Sequence, residues 1–278
     1  MNPPSSDPLD LAPLTTALAD VGLNTFGVAD PVKWDAVAGP TRLSAELLPG
    51  TQAILVFGSG GGRLWDSLLA DLTANPRHLG DEEHPLDAFV RRQVAFADAA
   101  LGPVHRRWFF ASANADVHLD FRLLADLAGL GGRSRLGLLL NPDYGVWLGL
   151  RAACFIAAPV PFSAPAVADP CVGCPAPCMD ACPGEAFLAG HWNVDRCSAF
   201  HAVSTRCASS CDARRACPVA PHARYGDDEF LYHYDRAQGR IRLRQLVGLP
   251  EAEDAYEGVG PHWQTWRRKV DVRRATEP

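Results

Sequence analysis

Lysine is almost missing from this chain: of its 26 basic residues only Lys33 and Lys269 are not arginine. Beside so much alanine and leucine, that bias reads as genome composition and points to no function. A long apolar run is missing as well. A membrane-spanning helix needs roughly eighteen uninterrupted apolar residues. The longest candidate, LGLLLNPDYGVWLGLRAACFIAAPVP, is broken by Asn141-Pro142-Asp143 and by Arg151, so no membrane association is expected. The opening residues, MNPPSSDPLDLAPL, have neither a basic stretch nor a long apolar core, which argues against a secretory signal peptide. The expected compartment is therefore the cytoplasm, where thiols stay reduced and available to metals. An excess of positive charge is lacking too: the formal net charge is -6, which argues against a general nucleic-acid binder. What remains, 47% hydrophobic and 21% charged over 278 residues, describes an ordinary globular protein of one large or two modest domains.

What the chain does have is cysteine, and in one place. Eight of nine lie between Cys171 and Cys217, in CVGCPAPCMDACP, CSAFHAVSTRC and ASSCDARRACP. Each group of four closes on a Cys-Pro step, Cys182-Pro183 and Cys217-Pro218. The pattern is close to the C-x2-C-x2-C-x3-C-P run of bacterial two-cluster ferredoxins, in which the fourth cysteine ligates the other cluster. Here the first group is one residue longer in the middle. Three close thiolates can wrap three irons of one cube, and the fourth iron then takes a ligand from far along the chain. That logic predicts two [4Fe-4S] clusters, one on Cys171, Cys174, Cys178 and Cys217, the other on Cys182, Cys197, Cys207 and Cys211. Two structural zinc sites use four thiolates as well, and disulfides are a further alternative. Zinc sites usually present two separated C-x2-C pairs, however, and a close quartet followed by proline suits a cubane better. His201, His222 and His233 flank this region and are expected to be surface or packing residues, since eight cysteines already complete two sites.

Before the cysteines, residues 9–22 have apolar spacing of a helix that stops at Gly22. NTFGVADP predicts a short strand and TQAILVFG a buried one. GSGGGRLWDSLLADL is a glycine-rich turn opening a helix. Such a turn can cradle phosphate, but Arg63 stands where a third glycine would complete G-x-G-x-x-G, and no GK[ST] follows, so a plain tight turn is the alternative. HPLDAFVRRQVAFADAAL predicts a second long helix and RRWFFASA a strand. DVHLDFRLLADLAGLG predicts an amphipathic helix capped by Gly129 or Gly131. GGRSRLGLLLNPDYGVWLGLRAACFIAAP predicts two strands joined by a turn at residues 141–145. Cys154, mid-strand among apolar neighbours, is expected to be a buried inert thiol. The mixture predicts an α+β fold with an antiparallel or mixed sheet.

Three stretches together resemble the epoxyqueuosine reductase family: LLPGTQAILVF, LADLAGLGGRSRLGLLLNPDYGVWLGL, and the cysteine region with DRCSAF. The likeness covers roughly residues 40–225. It implies an α/β sheet domain similar to cobalamin chaperones and nitroreductases over residues 1–160. A two-[4Fe-4S] ferredoxin-like domain over 161–225 and a C-terminal extension over 226–278 would follow. It further implies corrinoid contacts at Gly129, Gly131, Arg135, Asn141 and Tyr144. The chain departs from the family's pattern at Ser134-Arg135-Leu136, where the family has Gly-Lys-Asn. It departs again where the family's proposed proton-donating aspartate aligns with Ala115, Asp116 being one residue out of register, and where Phe121 replaces a glutamate. The loop between the fifth and sixth cysteines is shortened to SAFHAVSTR. The resemblance therefore implies a cofactor-binding frame, with cobalamin as a cofactor, and tRNA is not expected as a partner.

After the cysteines, DDEFLYHYDRAQ predicts a short helix with aromatic residues on one side. RAQGRIRLRQLVG and WRRKVDVRR are locally basic around the acidic EAEDAYEG. That surface is either a solvated one of mixed charge or a docking face for an electron donor, a flavodoxin, ferredoxin or reductase. The expected function is a corrinoid-linked or cobalamin-processing reductase fed through two clusters. The alternatives are an electron-transfer adaptor without its own substrate and a chaperone that reduces or strips cobalamin for delivery.

Overall fold

The computed structural model describes residues 9–39, 42–79, 84–111, 117–166, 169–188 and 190–250. In chain order these form helix α1 (Ala12–Asp20), strand β1 (Thr25–Ala29), the short helices α2 (Pro31–Asp35) and α3 (Ser44–Leu47), and strand β2 (Ala53–Gly60). Helices α4 (Arg63–Ala74) and α5 (Pro85–Asp98), strand β3 (Arg106–Phe110) and helix α6 (Phe121–Leu127) follow. The small pair β4 (Gly132–Arg133) and β5 (Leu139–Leu140) precedes the long strand β6 (Leu148–Ile156).

The main sheet has the order β1-β2-β6-β3, and every neighbouring pair is antiparallel. The expected α+β class thus takes its antiparallel form. In β2 every residue is buried, because the sheet is covered on both faces. The period of two along a strand sends alternate side chains to opposite faces. Ala53, Leu55 and Phe57 with Ala152, Cys154 and Ile156 meet the core made by α1, α4 and α5. Ile54, Val56, Ala153 and Phe155 meet Trp34, Leu47, Leu124 and Ala125 on the other side. Cys154 is fully buried, and burial pushes its thiol far above the usual range.

The 116–157 segment differs from expectation in two ways. Helix α6 starts at Phe121, with Asp120 accepting from the N–H groups of Arg122 and Leu123. It ends in a Schellman motif: Gly129, at φ +75°, donates to Asp126 O, and Leu130 N donates to Ala125 O. Gly129 is therefore the cap, and Gly131 is not. Secondly, the expected strand before the turn is folded back on itself as the β4–β5 hairpin. Ser134 donates to Leu138 O through both its Oγ–H and its N–H, and Gly137 adopts φ +71°. The Asn141–Gly145 turn closes on an isolated bridge, and the main sheet gains only β6.

The cysteine half contains α7 (Pro177–Asp180), a small hairpin β7 (Phe187–Leu188) with β8 (His191–Trp192), and α8 (Val194–His201). The short helices α9 (Thr205–Ser209) and α10 (Asp212–Arg215), then α11 (Asp227–Tyr234) and α12 (Arg236–Leu246), complete the described chain. A third core joins Leu136, Leu140 and Trp147 to Cys171, Cys178 and Cys217 and to Tyr225 and Phe230. Helix α12 then returns to the first core, where Leu243 is fully buried. Tyr232 Oη accepts from Leu86 N at 3.1 Å, which pins α11 to α5. The sequences EAEDAYEG and WRRKVDVRR lie outside the described residues, as do Ala115 and Asp116.

Candidate functional site

Two Cys-Pro turns built alike organise the cysteine half. Glu185 and Ala220, each three residues after the cysteine of such a turn, adopt left-handed backbone at φ 47° and 49°. For a residue with a Cβ that conformation costs roughly 1–2 kcal/mol, and here it turns the chain back toward a sulfur. Ala186 N–H donates to Cys182 Sγ at 3.5 Å. The Val219 backbone lowers the Cys217 thiol, against the larger raising effect of burial. A third left-handed residue, Ala176 at φ 56°, aims its N–H at Cys174 Sγ at 3.4 Å. Pro177 then starts α7, which presents Cys178.

These turns gather the thiols in two sets. Cys171, Cys174, Cys178 and Cys217 line one small cavity together with Arg135, Leu136 and Leu140. The sulfur of Cys178 interacts electrostatically with those of Cys217, Cys171 and Cys174. Cys197, in turn, interacts with Cys211, Cys182 and Cys207. The partition runs across the sequence, since Cys217 sits with the first three cysteines and Cys182 with the later three. Burial, the largest cause in each case, raises the thiols of Cys178, Cys197, Cys207, Cys211 and Cys217. Among the described residues no group of three or more His, Cys, Asp or Glu side chains closes to the geometry of a single metal ion. His201 is half-buried, and its imidazole is shifted down by burial. His233 packs at a tilt against Tyr225 with centroids 5.5 Å apart, and His222 is exposed.

Four of the five residues named for a corrinoid are engaged in the scaffold. A Cβ at Gly129 would lie 2.1 Å from Ala164 O, and one at Gly131 would lie 2.4 Å from Leu140 O. Buried Asn141 donates to Leu130 O at 2.8 Å, and its Oδ1 accepts from Asp143 N and Tyr144 N. Tyr144 lies flat against Gly60, where a Cβ would come within 2.2 Å of its ring. Arg135 is exposed and lines the cavity beside the first cysteine set. The glycine turn after β2 is likewise occupied: Tyr144 fills one side, and Asn24 exchanges two hydrogen bonds with Gly60.

Sequence reasoning missed the groups between the sheet and the cysteine sets. The Arg214 guanidinium lies 4.8 Å from the Trp147 ring and 4.9 Å from the Tyr225 ring. It donates to Val146 O at 2.8 and 3.2 Å. Next to it Glu229 is 3% exposed, and its Oε2 has no hydrogen-bond partner. Burial raises the Glu229 carboxyl to about 8 although Arg151 and Arg214 pull it down. Arg151 is the extra residue of a bulge in β6 opposite Phe57/Gly58, and its Nε donates to Ser59 Oγ at 2.9 Å. The only sequence signal for this cluster is arginine in the DARRACP run.

No protein-family model matches the sequence, and no curated protein does. Solved structures do resemble it. The B12-trafficking protein CblC of C. elegans matches with a TM-score of 0.56 at 12% identity, covering 88% of this chain and 100% of that one. An epoxyqueuosine reductase in complex with a modified tRNA-Tyr stem loop matches at 0.53 and 18% identity, over 78% of this chain and 67% of that one. The Bacillus subtilis epoxyqueuosine reductase matches at 0.52 and 19% identity, over 77% and 66%. The chain spans about two thirds of the length of these reductases. Across identities this low it is the architecture that is held in common: this chain has the fold of the epoxyqueuosine reductases and of CblC.

Proposed function

We propose that this protein is an iron–sulfur reductase that carries electrons through two [4Fe-4S] clusters to a corrinoid. The observation that carries the proposal is the crosswise gathering of cysteines, with Cys217 beside Cys171, Cys174 and Cys178 around one cavity. A cavity rather than a point of convergence suits a cube of iron and sulfide better than a single zinc ion, which needs four sulfurs about 2.3 Å from one centre. The first cluster is held by Cys171, Cys174, Cys178 and Cys217, and the second by Cys182, Cys197, Cys207 and Cys211. When bound, such clusters supply one-electron transfer at low potential, and a corrinoid supplies a metal centre to receive the electrons.

The chain's own part is to exclude water and to direct donors at sulfur. Cys171, Cys178 and Cys217 are buried among Trp147, Tyr225 and Phe230. The left-handed turns direct N–H groups at Cys174 and Cys182. For the corrinoid, support comes from the fold held in common with a B12-trafficking protein. Of the five residues assigned to it, Arg135 offers a side chain, and Gly129, Gly131, Asn141 and Tyr144 shape the segment that presents it. An electron donor docks from outside.

A second reading is an electron-transfer adaptor without a corrinoid, favoured by the engagement of those four residues in the scaffold. Titrating cobalamin into the anaerobically reconstituted protein separates the two. A change in the visible spectrum that saturates with cofactor is expected. An unchanged spectrum at excess cobalamin would end the corrinoid reading and leave the adaptor.

A further inference from the structure

The segment from Cys211 to Cys217 gives its first cysteine to the second set and its last to the first set. We propose that Arg214, midway between them, is a positioning residue that fixes both sets against the sheet by locking this shared segment onto Val146. The inference rests on the two-cluster reading above and adds which side chain sets where the clusters stand.

The segment does not hold itself in place. Its one helix, α10, is a single turn with Cys211 at its N-cap and no side-chain cap, and a helix so short is not stable by itself. Arg215 N–H donates to Cys211 O at 3.0 Å, and Cys217 N–H donates to Arg214 O at 3.3 Å. The turn therefore links the two cysteines, and a shift of one moves the other. Its position has to come from what packs against it. Asp212 pairs with Arg206, and Arg215 pairs with Asp227. Arg206 and Asp227 are exposed, and ion pairs at the surface hold little. Ala213 is buried, but a methyl group imposes no direction.

Arg214 does impose one. Its Nε and Nη2 both donate to Val146 O, at 3.2 and 2.8 Å. Its guanidinium lies 4.8, 4.9 and 5.8 Å from the rings of Trp147, Tyr225 and Phe230. Two bonds from one planar fork set both a distance and an orientation, which the flexible ammonium of a lysine cannot do. The acceptor is itself fixed, since Trp147, the next residue, is fully buried, and its carbonyl accepts from Gly61 N–H at 3.0 Å. Gly145, at φ +57°, makes a second contact: a Cβ there would lie 2.3 Å from Val219 O. The 145–147 stretch thus grips the chain on both sides of Cys217, at Arg214 before it and at Val219 after it.

The test is EPR of the fully reduced full chain, reconstituted anaerobically and first assayed for iron and acid-labile sulfide. Two reduced clusters joined by one short segment couple magnetically, and the splitting follows their distance and relative orientation. The parent is expected to give a coupled spectrum. Arg214→Met should change that splitting and release iron from both sets to a chelator several-fold faster. Arg214→Lys should recover part of both effects, and Gly145→Ala, which strikes the second contact, should act in the same direction as Arg214→Met. Arg242→Met removes a surface ion pair with Asp228 and should leave the splitting as it is. Uncoupled spectra from a parent with full iron and sulfide would overturn the inference alone. So would a splitting unchanged in Arg214→Met, a lysine variant identical to the parent, or faster iron loss from one set only. A preparation without labile sulfide would instead overturn the two-cluster reading beneath it.

Discussion

At the scale of single residues, the chemistry divides into what spacing announces and what packing creates. Eight cysteines in two runs ending in Cys-Pro announce themselves, because ligation requires that residue type at short intervals. Arg214 and Glu229 do not: nothing in a lone arginine or glutamate tells that aromatic rings will enclose the one and bury the other. Glu229 has a folded pKa of about 8 against an ordinary 4.5. Between those values the folded state holds one more proton than the unfolded state, so stability falls as pH rises through that window. The groups facing it are Arg151 on β6, Asp66 on α4, Arg214 on α10 and His233 on α11. Glu229→Gln should flatten this dependence, leaving a variant that is more stable than the parent at pH 9 by on the order of a few kcal/mol. Urea unfolding at pH 5.5 and pH 9 measures it, and equal slopes in parent and variant would refute the assignment. The glycines are legible only in part. Gly129 was a cap candidate by its place after a helix, yet the need for Gly27 comes from a contact distant in sequence. A Cβ there would lie 2.1 Å from Ala128 O. Gly27→Ala should cost roughly 1–3 kcal/mol in denaturant unfolding, as overpacking does.

At the scale of elements, the long apolar runs were readable and the short ones were not. Strand β2 and helices α1, α4 and α5 form where apolar periodicity put them, since burial on one or both faces fixes that period. The segment between α6 and β6 has the pattern of a strand before a turn. Leu136 and Leu140 instead face the cysteine core, while Leu139 joins the core of Trp34 and Phe155, and a two-residue hairpin suffices to hold them. The role of α12 was also hidden, because its sequence is dominated by arginine. One fully buried residue, Leu243, ties it to the core beneath the main sheet. Leu243→Ala should lower stability by about 2–5 kcal/mol in a chemical melt, with iron content unchanged. A loss below about 0.5 kcal/mol would mean that α12 does not support the first core.

At the scale of the whole molecule, a sheet with helices on both faces supports a cysteine half through a shared core, in which Trp147 meets Tyr225 and Phe230 with ring centroids 5.4 and 5.7 Å apart. Among the described residues no helix is long and apolar enough to cross a membrane. The fold is common to proteins of low identity to this one, so the account of its function depends on the cysteine sets and not on the architecture. Cys217, last in the chain, belongs to the first set, so its loss should spare the second. The most direct measurement is the content of iron and acid-labile sulfide per chain in the anaerobically reconstituted protein and in Cys217→Ser. About eight of each is expected for the parent and about four for the variant. Zinc without labile sulfide in the parent would contradict the account.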